Sequence, residues 1–194
     1  MLTLFHAPRS RSSRFVWLLE EIAEPYEITY VSIRRGDGSG EADPKNPHPD
    51  KKVPALTHDG ELVTESAAIA LYLADAFPAK VGPAVGEPGR GAFLTWLAFY
   101  AGVMEPAMTA RWRGLTEADS QAAADFDTVE ARLREALETG PYLLGEHFSS
   151  ADVLIASMFH FSRELSPKGP AFDAYLARIA ARPAFQRAQA KEAP

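Results

Sequence analysis

Three short stretches carry the residue types needed to dock a small zwitterionic peptide and to charge its reactive atom. Lys52-Val53-Pro54 places a cation beside a proline at the entrance of a strand, where a residue without an N–H cannot join the ladder. Glu65-Ser66 places a carboxylate and a hydroxyl at the start of a helix, where unpaired N–H groups and the dipole attract an anion. There a ligand carboxylate can take the Ser66 hydroxyl and N–H while Glu65 holds a neighbouring ammonium. A run of hydroxyls, Ser10, Ser12 and Ser13, stands among Arg9, Arg11 and Arg14 near the start of the chain. On its own Glu65-Ser66 would read as a helix cap; Pro54 changes that. Because Pro54 cannot donate, Val53 has its backbone free. If Val53-Pro54 is cis, as in about 5–6% of X-Pro bonds, Val53 turns its N–H and C=O outward like an open sheet edge.

The elements that position these groups are legible in the pattern. Residues 55–58 and 61–64 flank Asp59-Gly60, a two-residue hairpin loop. Ile69, Tyr72, Leu73, Ala76 and Phe77 then fall at helical spacing and make one apolar stripe. Upstream, the apolar run MLTLF is followed by a helix with Phe15, Leu18, Leu19 and Ile22 inward and Pro25 just beyond it. Residues 26–33, rich in β-branched and aromatic types, give a second strand. Residues 34–51 are dense in Gly, Pro and Asp and are expected to form a mobile loop with at most a short helix.

This arrangement resembles the glutathione-binding half of the glutathione transferases, whose thioredoxin-like domain carries the same Val-Pro, hairpin and Glu-Ser-helix order. The resemblance implies an α/β thioredoxin-like domain at residues 1–77, a linker at 78–88 and an all-helical domain at 89–194. It further implies that Val53, beside Pro54, pairs with the cysteinyl backbone of glutathione, that Glu65 and Ser66 hold its γ-glutamyl end, and that Lys52 lies near its glycine carboxylate. A free thiol has a pKa near 8.5 and only the thiolate is nucleophilic, so the family needs a group that favours the charged sulfur. In its serine-type members the catalytic hydroxyl lies four residues before an arginine of the first helix, and here Ser10 stands four before Arg14. Either Ser12 or Ser13 is expected to cap that helix. Arg9 and Arg11 would stabilise an anionic sulfur or a substrate carboxylate, although a solvated loop accounts for them equally well. The tyrosine-type pattern is disfavoured, because Phe5 and His6 stand where that tyrosine would be, and His6 reads as a packing or hydrogen-bonding residue.

Beyond the Pro- and Gly-rich segment the chain reads as helix. Phe93, Trp96, Leu97, Tyr100, Val103 and Met104 form a bulky stripe, and Pro106 should kink or end it before Met108, Arg111 and Trp112 continue. Most of this stripe reads as core. By resemblance, Tyr100, Met104, Met108, Arg111 and Trp112 are candidates to line the site of a hydrophobic electrophile. Ser149-Ser150-Ala151-Asp152 has capping-box spacing, and a structural role for Asp152 is expected. The last helices break at Pro183, so no long C-terminal helix is expected over the site.

Composition narrows the chemistry. With no cysteine, a mixed disulfide with the protein, a Cys-based zinc site and a structural disulfide are excluded. The maleylacetoacetate isomerase branch, which usually shows Ser-Ser-Cys where Arg-Ser-Arg stands here, is disfavoured. A net charge of −6 argues against nucleic acid. The expectation is a cytoplasmic, homodimeric enzyme with glutathione as co-substrate, no metal and no membrane partner. It would conjugate glutathione to hydrophobic electrophiles. The alternatives are a peroxidase or dehalogenase on the same scaffold, or a non-catalytic binding module, against which the retained peptide-site residues argue.

Overall fold

The computed structural model describes residues 1–192. Strand β1 (Leu2–His6), helix α1 (Ser13–Ile22), β2 (Tyr26–Tyr30), the hairpin β3 (Ala55–His58) and β4 (Glu61–Thr64), and α2 (Ser66–Ala76) come first. The sheet order is β2-β1-β3-β4, with β1 parallel to β2 and antiparallel to β3. This is the β-α-β … β-β-α layout that the apolar patterning implied. Helices α3 (Arg90–Phe99), α4 (Glu105–Trp112), α5 (Ser120–Thr139), α6 (Ser150–Phe161), α7 (Pro170–Ala180) and α8 (Pro183–Ala190) follow. One continuous apolar core runs from Leu2, Leu4 and the α1 face to Phe93, Leu154, Phe172 and Ile179, so the sheet and the helical part share their packing.

Two local expectations are corrected, and the reading of the loop between them is refined. Strand β2 ends at Tyr30 rather than Ile33. The segment before β3 holds no helix but is tied down from within. Asn46 and His48 are buried. Asn46 donates through Nδ2 to the Lys52 carbonyl at 2.8 Å and accepts from the His48 N–H at 3.0 Å. A buried amide supplying turn hydrogen bonds fixes a loop whose composition alone reads as mobile. Finally, neither serine caps α1 with its side chain. Ser12 takes the cap position with helical φ and ψ, and its hydroxyl points back toward β1.

Between α3 and α4 the chain makes a π-helical turn, Tyr100–Met104. Pro106 lies in the first turn of α4 and has no N–H to continue an α-helical ladder. The wider turn just before it lets one helix axis run on with its bonds re-registered.

Candidate functional site

Strand register brings the proposed peptide-docking residues to one edge. Phe5 pairs with Ala55 and Ala55 with Thr64, so the chain leaving β1, the Val53-Pro54 approach to β3 and the Glu65-Ser66 exit from β4 lie side by side. Val53 packs with Ala7 and Val31 in a small separate cluster. The Val53–Pro54 bond is cis, and among the described residues no backbone hydrogen bond reaches the Val53 N–H or C=O. Glu65 is exposed and sits ahead of α2 at φ 69°, ψ 127° without making a side-chain cap bond. Ser66, largely buried, is the first helical residue. Capping therefore does not explain this pair. A non-glycine residue held at positive φ costs on the order of 1–3 kcal/mol and persists where the surroundings over-determine it. Of the six such residues among those described, Arg9, Lys51 and Glu65 all border this edge. Lys52 is exposed and lies 3.6 Å from Asp50.

At the N-terminus of α1 the hydroxyls form a chain. His6 Nδ1 lies 2.8 Å from Ser12 Oγ, and Ser12 Oγ lies 2.8 Å from Ser10 Oγ. Ser12 Oγ also accepts from the Ala7 N–H at 3.1 Å. Ser10 Oγ donates to the Ala7 carbonyl at 2.6 Å and accepts from the Ser12 N–H at 3.2 Å. His6 and Ser12 are fully buried, and burial holds the imidazole below its ordinary pKa, with Glu192 opposing in part. The reading of His6 as a hydrogen-bonding residue fits. Its coupling to Ser10 through Ser12 is new, because no spacing rule joins a strand end to a loop hydroxyl. Glu192 likewise escapes sequence reasoning. Its carboxylate accepts from the Arg9 N–H at 2.8 Å and Ser13 Oγ at 2.9 Å, and lies 3.8 Å from His6 Nε2.

Arg11 is turned away from Ser10 by a forked ion pair with Glu105, at 3.1 Å from Nε and 2.7 Å from Nη2. That pair raises the guanidinium pKa. Burial pushes the Glu105 carboxyl up, but bonds from Arg11 and Tyr100 and the charges of Arg11 and Arg14 outweigh it and hold the group below its usual range. The Tyr100 hydroxyl donates to Glu105 and accepts from Arg14, and burial drives its pKa to about 12. Tyr100 thus belongs to an ionic cluster joining α1 to the π turn and α4.

The other electrophile-site candidates diverge. Met104 and Met108 lie inside the core, and Arg111 stacks its guanidinium 4.0 Å above the Phe126 ring. Trp112 is 65% exposed and faces the loop after β2, where a methyl group placed on Gly36 would sit 3.9 Å from its Cη2. From that loop Arg35 reaches back, donating to the carbonyls of Pro8 at 2.9 Å and Arg9 at 3.4 Å. The loop after β2 and helix α4 therefore both meet the turn that carries Ser10, the loop through Arg35 and α4 through the Arg11–Glu105 pair. Among the described residues no group of three or more His, Cys, Asp or Glu side chains is arranged to hold a metal ion, and no helix is long and apolar enough to cross a membrane.

Comparison with known proteins matches two family models, "Glutathione S-transferase, N-terminal domain" over residues 1–75 and "Glutathione S-transferase, C-terminal domain" over residues 98–183. A glutathione S-transferase of Hypomyces subiculosus is 31% identical over 169 residues, covering 79% of this chain and 78% of its own. A sphingomonad glutathione S-transferase solved in complex with glutathione is 31% identical, with a TM-score of 0.79 and 98% coverage of both chains. A glutathione S-transferase structure from Actinobacillus pleuropneumoniae superposes with a TM-score of 0.84 at 26% identity, covering 99% of this chain and 93% of that one.

Proposed function

This chain belongs to the glutathione S-transferase family, and from that premise we propose that it binds glutathione along the β1–β3–β4 edge, stabilises its thiolate at Ser10 and transfers the sulfur to an electrophile. The observation that carries this reading is the shared edge: an unpaired Val53 backbone, and beside it a strained Glu65 ahead of an uncapped helix. From the end of β1 across β3 to the end of β4 are two strand spacings, about 10 Å, the reach of an extended chain of three residues. Glutathione laid across it would put its cysteinyl backbone on Val53, its γ-glutamyl carboxylate on the Ser66 hydroxyl and helix N–H groups, its ammonium on Glu65 and its glycine carboxylate toward Lys52. Its sulfur would then face the α1 N-terminus.

There the hydrogen-bond chain gives Ser10 a means of serving the sulfur. With Ser12 Oγ supplying its proton to Ser10 Oγ, the Ser10 proton is released from the Ala7 carbonyl to point at a thiolate. A hydroxyl donor and the helix N-terminus both favour the charged sulfur. Attack forms a carbon–sulfur bond, and the electrophile's leaving group departs with its electron pair. Tyr100 and Arg11, locked together through Glu105, brace the loop against α4.

Replacing Glu65 or Ser66 with alanine is expected to weaken glutathione binding about ten- to a hundredfold, since a hydrogen bond to a charged group contributes about 1.5–3 kcal/mol. Thermal stability should hold, because neither side chain caps the helix. Calorimetric titration decides the matter, and unchanged affinity in both variants removes this site.

A further inference from the structure

Extending that proposed function, we infer that the electrophile carries a negative charge on a flat ring: an aromatic carboxylate or its chemical equivalent. Three arginines, Arg9, Arg11 and Arg35, stand around the turn that carries Ser10 although the chain as a whole is acidic. Among the described residues the Arg35 guanidinium is hydrogen-bonded by neutral partners, the carbonyls of Pro8 and Arg9, with exposed Asp37 as its nearby counter-charge. Arg9 is exposed, and no ion pair of its side chain is found among the described residues; Glu192 meets its backbone N–H instead. Arg11 adds a third guanidinium, offset by Glu105.

These charges are not needed for glutathione in the pose above, whose carboxylates lie at Ser66 and Lys52 across the sheet edge. They remain available to a second ligand. Opposite them, on α4, Trp112 offers a large exposed ring beside Gly36. Gly36 lies close to one edge of the indole, and the rest of the ring, 65% exposed, is open for a flat group to stack on. A ring stacked on Trp112 with its carboxylate toward Arg35 and Arg9 would hold the reacting carbon over Ser10. The thiolate sulfur attacks a ring carbon that bears a leaving group, the new carbon–sulfur bond forms, and that group, chloride in the probe below, leaves with the bonding pair; no oxidant or reductant is required.

The test uses the full chain with a chlorodinitrobenzoate and its uncharged methyl ester, each rate being divided by the uncatalysed rate with glutathione. The wild type should favour the anion in kcat/KM. Arg35→Gln and Arg9→Gln should each lower the anion-to-ester ratio about two- to fivefold, the range of a screened ion pair, and added salt should lower it too. Loop damage would depress both substrates and leave the ratio unchanged, so the ratio isolates charge. An ester preferred by the wild type, or a ratio unmoved in the double variant, overturns the inference. Calorimetry with glutathione alone separates the two readings: failure to bind glutathione defeats the proposed function, whereas intact binding with no anion preference defeats only this extension.

Discussion

Ser10→Ala is expected to cut conjugation at neutral pH by on the order of 10²–10³, the loss measured when one preorganised donor to a developing anion is removed. Glutathione affinity should change little, because the contacts assigned to Val53, Glu65 and Ser66 lie elsewhere on the edge. The apparent pKa of the bound thiol should rise, each unit corresponding to about 1.36 kcal/mol of lost preference for the thiolate. Ser12→Ala should reproduce part of this effect. It removes the link between His6 and Ser10 but leaves the Ser10 hydroxyl in place. Thiolate absorbance against pH for the wild type, Ser10→Ala, Ser12→Ala and Arg11→Ala resolves the assignment. If Ser10→Ala titrates like the wild type while Arg11→Ala shifts, the sulfur is charged by a guanidinium and the serine-type assignment fails. The forked pair of Arg11 with Glu105 is the structural ground for expecting the opposite.

Asp152→Ala should be the most destabilising single change, at on the order of 4 kcal/mol, because each stranded buried donor costs about 1–3 kcal/mol. The fully buried carboxylate accepts from Leu143 N–H at 3.0 Å, Ser149 N–H at 2.9 Å, Ser149 Oγ at 3.1 Å and Tyr175 OH at 3.1 Å. It also completes the capping box of α6. Burial pushes its pKa up to about 6 while these four hydrogen bonds pull the other way. The folded value lies above the unfolded value of about 3.9, so folded protein binds the proton more tightly. The associated stability is present in acid and fades as pH rises through about 6. Tyr175 can serve either form, since its hydroxyl also reaches the Asp152 carbonyl at 3.3 Å. Denaturant unfolding should therefore show the wild type losing stability relative to Asp152→Asn between about pH 4 and about pH 6, the unfolded and folded limits. A difference that stays flat over that interval would contradict the buried, proton-linked carboxyl.

The sequence by itself determined the strand–helix order, the hairpin at Asp59-Gly60, the break at Pro183 and the helix opened by Glu65-Ser66. Each rests on signals within a few residues: alternating or helical apolar spacing, a two-residue turn, a proline's missing N–H. Glutathione itself entered through the resemblance to the glutathione transferases, which marked Val53, Glu65 and Ser66, while the hairpin sets β3 and β4 side by side. The tertiary structure decided what spacing cannot encode. Arg11 turns toward Glu105, 94 positions away in the chain, and Met104 and Met108 turn into the core while Trp112 turns out. Asn46 converts a glycine- and proline-rich segment into an ordered loop, and Glu192 reaches the turn that carries Ser10. All of these are contacts between groups remote in sequence, set by which faces the core packs together. A one-dimensional pattern shows that a side chain is charged or apolar, and only the folded chain shows what it meets.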